Sequence, residues 1–228
     1  MKAGQVSRKP PVLLLVGVHR EELSFGQAVA SAVDPRQVSV LPILQGLSGR
    51  RPNPDEVYRY EMLHRALYLQ VLPHVEGRHR LLIDLHTGQD SAGPTADLLC
   101  ASPALCQQLE KRIEGHAGVS GRNVRVLPLG QSGRLPKTHT VIPRQIWNNP
   151  AFQYLGMEIY LPQNEAAVTE SRQLALWLVN MACECVGQGT ITQPGPRLAG
   201  RVAAGLSAGG VGGELPDALP GSPGKPLP

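Results

Sequence analysis

Two stretches of the sequence place histidine and glutamate side chains directly after short apolar runs. The run Val12–Val16 is followed by His19 and, three residues later, by Glu22. The run Leu81–Leu85 is followed by His86. Runs of this length and composition are typical of buried parallel strands, and open α/β sheets carry their chemistry at the carboxyl ends of such strands. Two imidazoles and one carboxylate form the ligand set of a catalytic zinc site with an open position, so we predict one zinc ion per chain.

Each half of this pattern also has an ordinary explanation. His19 and Glu22 alone match a spacing that occurs by chance and could simply hydrogen-bond at a helix start. Asp84 and His86 could pack a turn. Glu21 is a neighbouring carboxylate and stays open as an alternative ligand to Glu22. If the site forms, Asp84 is placed to orient a metal-bound imidazole.

Glu158 is the third candidate for chemistry. It lies inside the apolar segment Gly156–Leu161, and a carboxylate costs free energy to bury unless it is paired or takes part in a reaction. Beside a metal ion it could take a proton from bound water and later give it to a leaving amine. The alternative is a glutamate that faces solvent from an edge strand, because Met157, Ile159 and Leu161 would share the opposite face.

Length, charge and cysteine content limit the classes of protein to consider. The 228 residues suffice for one α/β domain and are too few for two. The net charge is +4, but the basic residues are scattered among few aromatics, which argues against nucleic acid as a partner. The N-terminus lacks the apolar core of a signal peptide, and Val12–Val18 is too short to cross a bilayer. We therefore expect a cytoplasmic protein with no membrane partner. We expect the four cysteines to be buried or half-buried thiols in a reducing compartment: Cys100, Cys106, Cys183 and Cys185.

The order of the remaining elements predicts the fold class. Strand and helix patterns alternate, which favours an α/β fold with a mainly parallel, doubly wound sheet and helices on both faces. Besides the strand at Val12–Val16, the predicted strands are Val38–Leu44 (an edge strand or a bulge, because of Pro42), Leu81–Leu85, Ala96–Ala101, Asn123–Leu129 and Gly156–Leu161. The predicted helices are Glu21–Val33, Glu56–Val75, Pro103–Glu114 and Glu165–Val186.

Two further expectations concern the second helix and the end of the chain. The apolar face of Glu56–Val75 is predicted from one stripe: Val57, Leu63, Leu67, Val71 and Val75. His64 and His74 are then expected to be surface histidines. Residues 1–190 are predicted to form the catalytic domain. Residues 191–228 are rich in glycine and proline and are predicted to be a flexible tail.

These motifs, taken in order, resemble the zinc carboxypeptidase superfamily and, within it, the succinylglutamate desuccinylase/aspartoacylase family. The resemblance rests on a strand with Gly-x-His-x-x-Glu, on Asp-Leu-His-Thr and on a strand bearing Met-Glu-Ile, and covers Pro11–Gln163. It implies a carboxypeptidase-like α/β fold and a single zinc that hydrolyses the amide of an N-acyl amino acid. It implies that His19, Glu22 and His86 are the zinc ligands. It also implies that Glu158 is the general base and acid.

The sequence departs from that family in its arginines. The family's Asn-Arg pair, which binds the substrate carboxylate, is missing from the Gln45–Pro52 loop. Arg50 is the best substitute, because a guanidinium binds a carboxylate with two parallel hydrogen bonds, and Arg51 is nearly as good. Arg144 could be the further arginine expected upstream of Glu158. Each arginine taken singly is also explained as a solvated surface residue.

The family's C-terminal β domain, which narrows the channel to the zinc, also has no counterpart, so we expect a more open site. The sequence thus predicts a zinc-dependent amidohydrolase, or deacylase, whose substrate is an N-acyl amino acid or short peptide with a free carboxylate. A larger acyl group or a cell-wall fragment is conceivable. The alternatives are a true zinc carboxypeptidase acting on peptides and a non-catalytic binding protein descended from the same fold.

Overall fold

The computed structural model describes residues 9–89, 95–116, 124–130 and 141–187. Within these ranges the strands are β1 (Val12–Val16), β2 (Val38–Pro42), β3 (Leu81–Gln89), β4 (Thr95–Cys100), β5 (Val124–Pro128) and β6 (Gln153–Leu161). The helices are α1 (Leu23–Ala30), α2 (Val57–Val75), α3 (Pro103–Glu114), α4 (Arg144–Trp147) and α5 (Glu165–Gly187). A 3-10 turn, Arg20–Glu22, precedes α1.

All of these strands form one sheet, in the order β2-β1-β3-β6-β4-β5. The strands β2, β1, β3 and β6 run parallel to one another. The pair β4–β5 runs in the opposite direction, because β4 is antiparallel to β6. The carboxyl ends of β1, β3 and β6 therefore meet at one edge of the sheet. The predicted edge position of β2 is confirmed.

Apolar side chains cover both faces of the sheet. On one face, strand residues such as Leu14 and Ile83 pack into a cluster with residues of α1, α3 and α5. On the other face, Leu13 and Leu82 pack with residues of α2 and α4. Side chains that alternate along a strand point to opposite faces, which explains why consecutive residues of β1 belong to different clusters. The predicted α/β class, with a mainly parallel sheet and helices on both faces, is confirmed.

The predicted apolar face of α2 is partly wrong. Val57 is 39% exposed and Leu63 is 45% exposed. The buried residues of this helix are instead spaced four and three apart: His64, Tyr68, Val71 and Val75. The buried face includes two polar aromatic residues, because these side chains reach polar partners inside the protein. A search for a stripe of aliphatic residues alone therefore misses this face. His64 is thus a buried histidine rather than a surface one, whereas His74 is exposed as predicted.

The expectation for the cysteines is wrong for one pair. Cys100 and Cys106 form a disulfide, with Cα atoms 6.1 Å apart. Cys100 ends β4, and Ser102 caps α3 by accepting a hydrogen bond from the backbone N–H of Leu105. This tight strand-to-helix turn brings the first turn of α3 back over the strand end, within the Cα separation that a disulfide requires. Cys183 and Cys185 are buried free thiols, as expected.

The chain divides into two units at Pro194, and every described residue lies in the first unit. The predicted tail, 191–228, lies outside the described residues. Among the helices described here, none has the length and apolar character needed to cross a bilayer.

Candidate metal centre

A tight turn after β1 presents the first pair of candidate ligands. Gly17 has a φ of 80°, and a Cβ atom there would lie 2.6 Å from Cδ1 of Leu23 and 2.9 Å from the carbonyl oxygen of Ile43. Only glycine can adopt this positive φ and fit between these two atoms without strain. Beyond this turn His19 stands at the start of the 3-10 turn, and Glu22 ends it. Both side chains thus lie at the carboxyl edge of the sheet.

His86, in β3, completes the group. Nδ1 of His19 lies 2.8 Å from Oε1 of Glu22, and Nδ1 of His86 lies 3.0 Å from Oε2 of the same carboxylate. One ligand atom from each of the three residues lies within 4.8 Å of the other two. Burial acts to raise the pKa of Glu22, but the two neighbouring histidines outweigh burial and lower it. The structure therefore brings together the three residues that the sequence predicted as ligands.

The two neighbouring glutamates take different roles in the structure. Glu22 is buried between the histidines. Glu21 is more exposed and accepts hydrogen bonds from the backbone N–H of Gly49 at 3.1 Å and from the hydroxyl of Ser48 at 3.3 Å. The Gly49 hydrogen bond is the main reason that the pKa of Glu21 is lowered. Glu21 therefore holds the loop after β2, which leaves Glu22 as the carboxylate facing the histidines.

Asp84 contacts the far side of the His86 ring. Its Oδ1 lies 3.1 Å from Nε2 of His86, an ion-pair distance. Its Oδ2 accepts hydrogen bonds from the hydroxyls of Tyr68 at 2.7 Å and Tyr154 at 2.9 Å. Burial disfavours a charge on His86, but Asp84 and Glu22 together raise the pKa of His86 well above its usual value. Asp84 thus lies on the side of the His86 ring away from Glu22, where it limits the rotation of the imidazole.

His64 contacts the far side of the His19 ring, a contact that the sequence did not predict. Nδ1 of His64 lies 2.8 Å from the carbonyl oxygen of Tyr60, which can only accept a hydrogen bond, so Nδ1 carries the proton. Burial lowers the pKa of His64 and favours its neutral form. Its Nε2 is then an acceptor, 3.2 Å from Nε2 of His19. His19 therefore carries its proton on Nε2 and directs the lone pair of Nδ1 at Glu22.

This tautomer assignment tests whether the residues fit a metal ion. Nε2 of His86 faces Asp84 and the Tyr68 hydroxyl, and Nε2 of His19 faces His64, so the Nδ1 atoms of both histidines are turned towards the Glu22 carboxylate. Lone pairs that face one another need either extra protons or a cation between them. Imidazole and carboxylate donors in this number suit zinc. The donor set and its orientation therefore fit a single zinc ion.

Glu158 lies beside this group on the neighbouring strand. It pairs in register with His86 across β3 and β6. A Cβ at Gly88 would lie 3.1 Å from its Oε1, so the Glu158 side chain leans over β3 where glycine leaves room. β6 is an interior strand with Glu158 partly buried, which rules out the edge-strand alternative. Burial is the main cause that raises the pKa of Glu158 to about 7, and nearby Glu22 adds to it.

The arginines predicted to bind substrate are all exposed. Arg50 and Arg51 follow Gly49, whose backbone packs close to the His19 ring, so their loop borders the metal centre. Arg144 is the first residue of α4. The sequence did not single out Arg125, whose guanidinium binds both carboxylate oxygens of Asp97 at 2.6 and 2.7 Å.

Neither a family model nor a curated protein matches the sequence. Among solved structures, this chain is similar to the CwlD amidase from Clostridioides difficile in complex with the GerS lipoprotein, at 11% identity over 78% of this chain and 98% of that chain, with a TM-score of 0.44. Murine aminoacylase 3 is 18% identical over 80% of this chain and 67% of that chain, with a TM-score of 0.47. A metallo-carboxypeptidase from Burkholderia cenocepacia is 10% identical over 79% of this chain and 57% of that chain, with a TM-score of 0.44.

Proposed function

We propose that this protein is a zinc-dependent hydrolase that cleaves the amide bond of an N-acyl amino acid or short peptide with a free carboxylate. His19, Glu22 and His86 would hold the zinc. The single observation that supports this proposal is that the Nδ1 atoms of His19 and His86 lie 2.8 and 3.0 Å from the Glu22 carboxylate, while His64 and Asp84 face the opposite ring nitrogens. When bound, the zinc lowers the pKa of a water molecule and polarises the scissile carbonyl.

Glu158 moves the protons in this proposal. Its carboxylate lies next to His86, and its pKa of about 7 suits a group that accepts and returns a proton near neutral pH. An oxygen of Glu158 takes a proton from the attacking water and gives it to the amine nitrogen as the amide bond breaks. Oε1 of Glu158 lies over Gly88, where glycine leaves room for the carboxyl group beside His86.

An arginine would bind the substrate carboxylate. Arg50 and Arg51 are the first candidates, because their loop is fastened to the metal centre in two ways. Leu47 pairs with His19 as a parallel bridge, and Glu21 binds the backbone N–H of Gly49. A guanidinium on this loop would hold the substrate on the β1 side of the zinc. Arg144 is the alternative on the side of α4.

The test is the metal content of the purified protein, measured by elemental analysis after zinc loading and desalting. We expect one zinc per chain in the wild type and its loss in His86→Ala. The matched control is His74→Ala, which removes an exposed histidine from α2 and should keep the zinc. Absence of zinc from the wild type, even after loading, would refute the proposal and favour a non-catalytic binding protein.

A second variant separates metal binding from turnover. Glu158→Gln should keep one zinc per chain, because Glu158 is not among the proposed ligands, while turnover falls by about 100-fold or more, the usual size of a general acid–base contribution. Wild-type turnover in Glu158→Gln would show that another group moves the proton. Profiling acyl amino acids beside blocked peptides would distinguish a deacylase from a true carboxypeptidase.

A further inference from the structure

A partly open, mainly apolar cavity of about 140 Å³ adjoins the candidate metal centre. The polar side chains among its lining residues are His86, Tyr154 and Glu158. The rest of the described wall is apolar, from Leu99, Leu129, Ile142, Gly156 and Met157. An apolar protein cavity of about 150 Å³ binds benzene. The space therefore fits a group of about six carbon atoms, placed directly beside the proposed reacting groups.

Gly156 creates the floor of this cavity. It pairs in register with Leu99 of antiparallel β4, two residues along each strand from the pair Glu158 and Asp97. A Cβ at Gly156 would lie 3.1 Å from the hydroxyl of Tyr154 and 3.4 Å from Cβ of Leu99. Any larger residue would take up the floor and press on Tyr154, which holds Asp84. The cavity is therefore built into the same strand that carries Glu158.

The position of the cavity indicates which part of a substrate it would hold. Its walls come from β6, from β4 and from residues next to β5 and α4. The loop with Arg50 and Arg51 borders His19 on the opposite side, towards β1 and β2. An amide bond at the metal centre has two substituents that extend in opposite directions. With its carboxylate end on the arginine side, the acyl group extends into the cavity.

We propose that the cavity is an acyl-binding site that selects an apolar acyl group of about four to six carbon atoms. This inference rests on the proposed hydrolase function and names its substrate class. A second carboxylate, as in a succinyl group, would have to be buried against Leu99, Leu129 and Ile142. The described residues of the cavity wall include no lysine or arginine to pair with it, so its burial costs free energy. An acetyl group would leave most of the cavity unfilled. The favoured substrates are thus amino acids or peptides carrying a short fatty acyl chain.

The experiment uses two series of probes with the zinc-loaded full chain. The first is a set of hydroxamic acids, from acetyl through butanoyl and hexanoyl to octanoyl, with the succinyl compound included, whose binding is measured by calorimetry. The second is the matching set of N-acyl alanines, for which kcat/KM is measured. We expect affinity to rise about fourfold for each added methylene up to hexanoyl. It should fall at octanoyl, and the succinyl probe should bind at least tenfold more weakly than butanoyl.

Variants that fill the cavity test its location. Leu99→Phe should lower the preference for hexanoyl over acetyl by at least tenfold, and Ile142→Phe is a second variant of the same kind if the first fails to fold. The matched control is Leu63→Phe, which adds the same group to an exposed position of α2 and should leave the whole series unchanged.

The outcomes separate this inference from the function on which it rests. A chain-length dependence in hydroxamate binding without any turnover would support the cavity and refute the hydrolase. Turnover of acetyl substrates, with kcat/KM and affinity that do not change with acyl chain length, would support the hydrolase function and overturn the acyl-site inference. If kcat/KM did not change with acyl chain length but changed steeply with the amino-acid side chain of the substrate, the acyl-site inference would also be wrong. The cavity would then hold the amine half of the substrate. Failure to bind zinc would overturn both.

Discussion

The side chain of Asp84 is fully buried, yet its carboxylate contacts two tyrosine hydroxyls and one imidazole. Burial raises the free energy of its charge, but His86 and the hydroxyls of Tyr68 and Tyr154 more than compensate and lower the pKa of Asp84. A buried carboxylate with several partners stays ionised and fixes the groups around it. At the scale of single residues, the candidate site is therefore held from behind by a charged, fully buried group.

His64 plays the corresponding part behind His19, and this gives a prediction. His64→Ala removes the acceptor for the Nε2 proton of His19, so the Nδ1 lone pair is no longer held towards the metal position. We expect zinc affinity to fall by about 10- to 100-fold, the usual cost of losing a partner behind a metal-bound histidine. The measurement is competition with a fluorescent zinc chelator.

The control for this prediction is a second buried histidine. His79 donates to the carbonyl oxygen of Pro10 at 2.7 Å, a contact outside the site residues named here. His79→Ala should reduce the stability of the fold and leave the zinc affinity of the folded protein as in the wild type. His64→Gln, whose amide oxygen can still accept from His19, should recover part of the affinity. Equal zinc affinity in His64→Ala and wild type would show that His19 needs no such partner.

At the scale of elements, the turn after β1 decides where His19 stands. The positive φ of Gly17 and its close contacts with Leu23 and Ile43 leave no room for a side chain. Gly17→Ala should therefore destabilise the protein by more than the roughly 1–2 kcal/mol that a positive φ alone costs a non-glycine residue, and it should lower zinc binding. Urea unfolding and metal content are the measurements.

Gly77 supplies the matched control for that substitution. It has a similar φ of 68°, but nothing lies within 4 Å of a Cβ built on it. Gly77→Ala carries only the cost of a positive φ, without the steric clash expected in Gly17→Ala. Its loss of folding stability should therefore be smaller than that of Gly17→Ala, and its zinc binding should be unchanged. If the two variants lost the same stability, the contacts around Gly17 would have no role in holding the turn.

At the scale of the whole molecule, the sheet order gathers the site from distant parts of the chain. β3 lies between β1 and β6, which places His86 between His19 and Glu158. The parallel pair β4 and β5, which runs opposite to β6, extends the sheet beyond β6. Residues of β4 and next to β5 supply the side of the apolar cavity away from the proposed zinc ligands. A purely local motif could not produce either contact.

The burial of Glu158 makes the stability of the metal-free protein depend on pH. Its pKa is about 7 in the folded chain against 4.5 as the ordinary value, so the folded state binds the proton more tightly than the unfolded state. This contribution to stability is complete below pH 4.5 and is lost as the pH rises through 7. From pH 5 to pH 8, the wild type should lose up to about 2.5 kcal/mol more than Glu158→Gln.

The measurement is urea unfolding of both proteins at pH 5 and pH 8 in the presence of a chelator. The pKa of His86 also differs between the folded and the unfolded chain, so only the difference between wild type and variant reports on Glu158. Identical pH dependence in the two proteins would show that Glu158 is solvated enough to keep an ordinary pKa. Zinc loading should make the stability of the wild type less dependent on pH, because a nearby cation favours the ionised form of Glu158.

The sequence by itself determined the parts that depend on neighbours along the chain. Short apolar runs mark β1 and β3, and the polar residues that follow them, His19, Glu22 and His86, lie at one edge because parallel strands align their carboxyl ends. The capped start of α3 at Ser102 and Pro103 is likewise local, since it needs only one side chain and the following turn. These features follow from hydrogen-bonding and burial rules that act within a few residues.

Only the tertiary structure decided the contacts between distant residues. His64 is 45 residues from His19, and Tyr154 is 70 residues from Asp84. Both polar aromatics are stable inside because a partner from another element satisfies their hydrogen bonds, and no local pattern names that partner. That Glu22 rather than Glu21 faces the histidines was decided in the same way, because the backbone of Gly49 binds Glu21. Which strands lie side by side, and hence which side chains meet, is a property of the packed sheet as a whole.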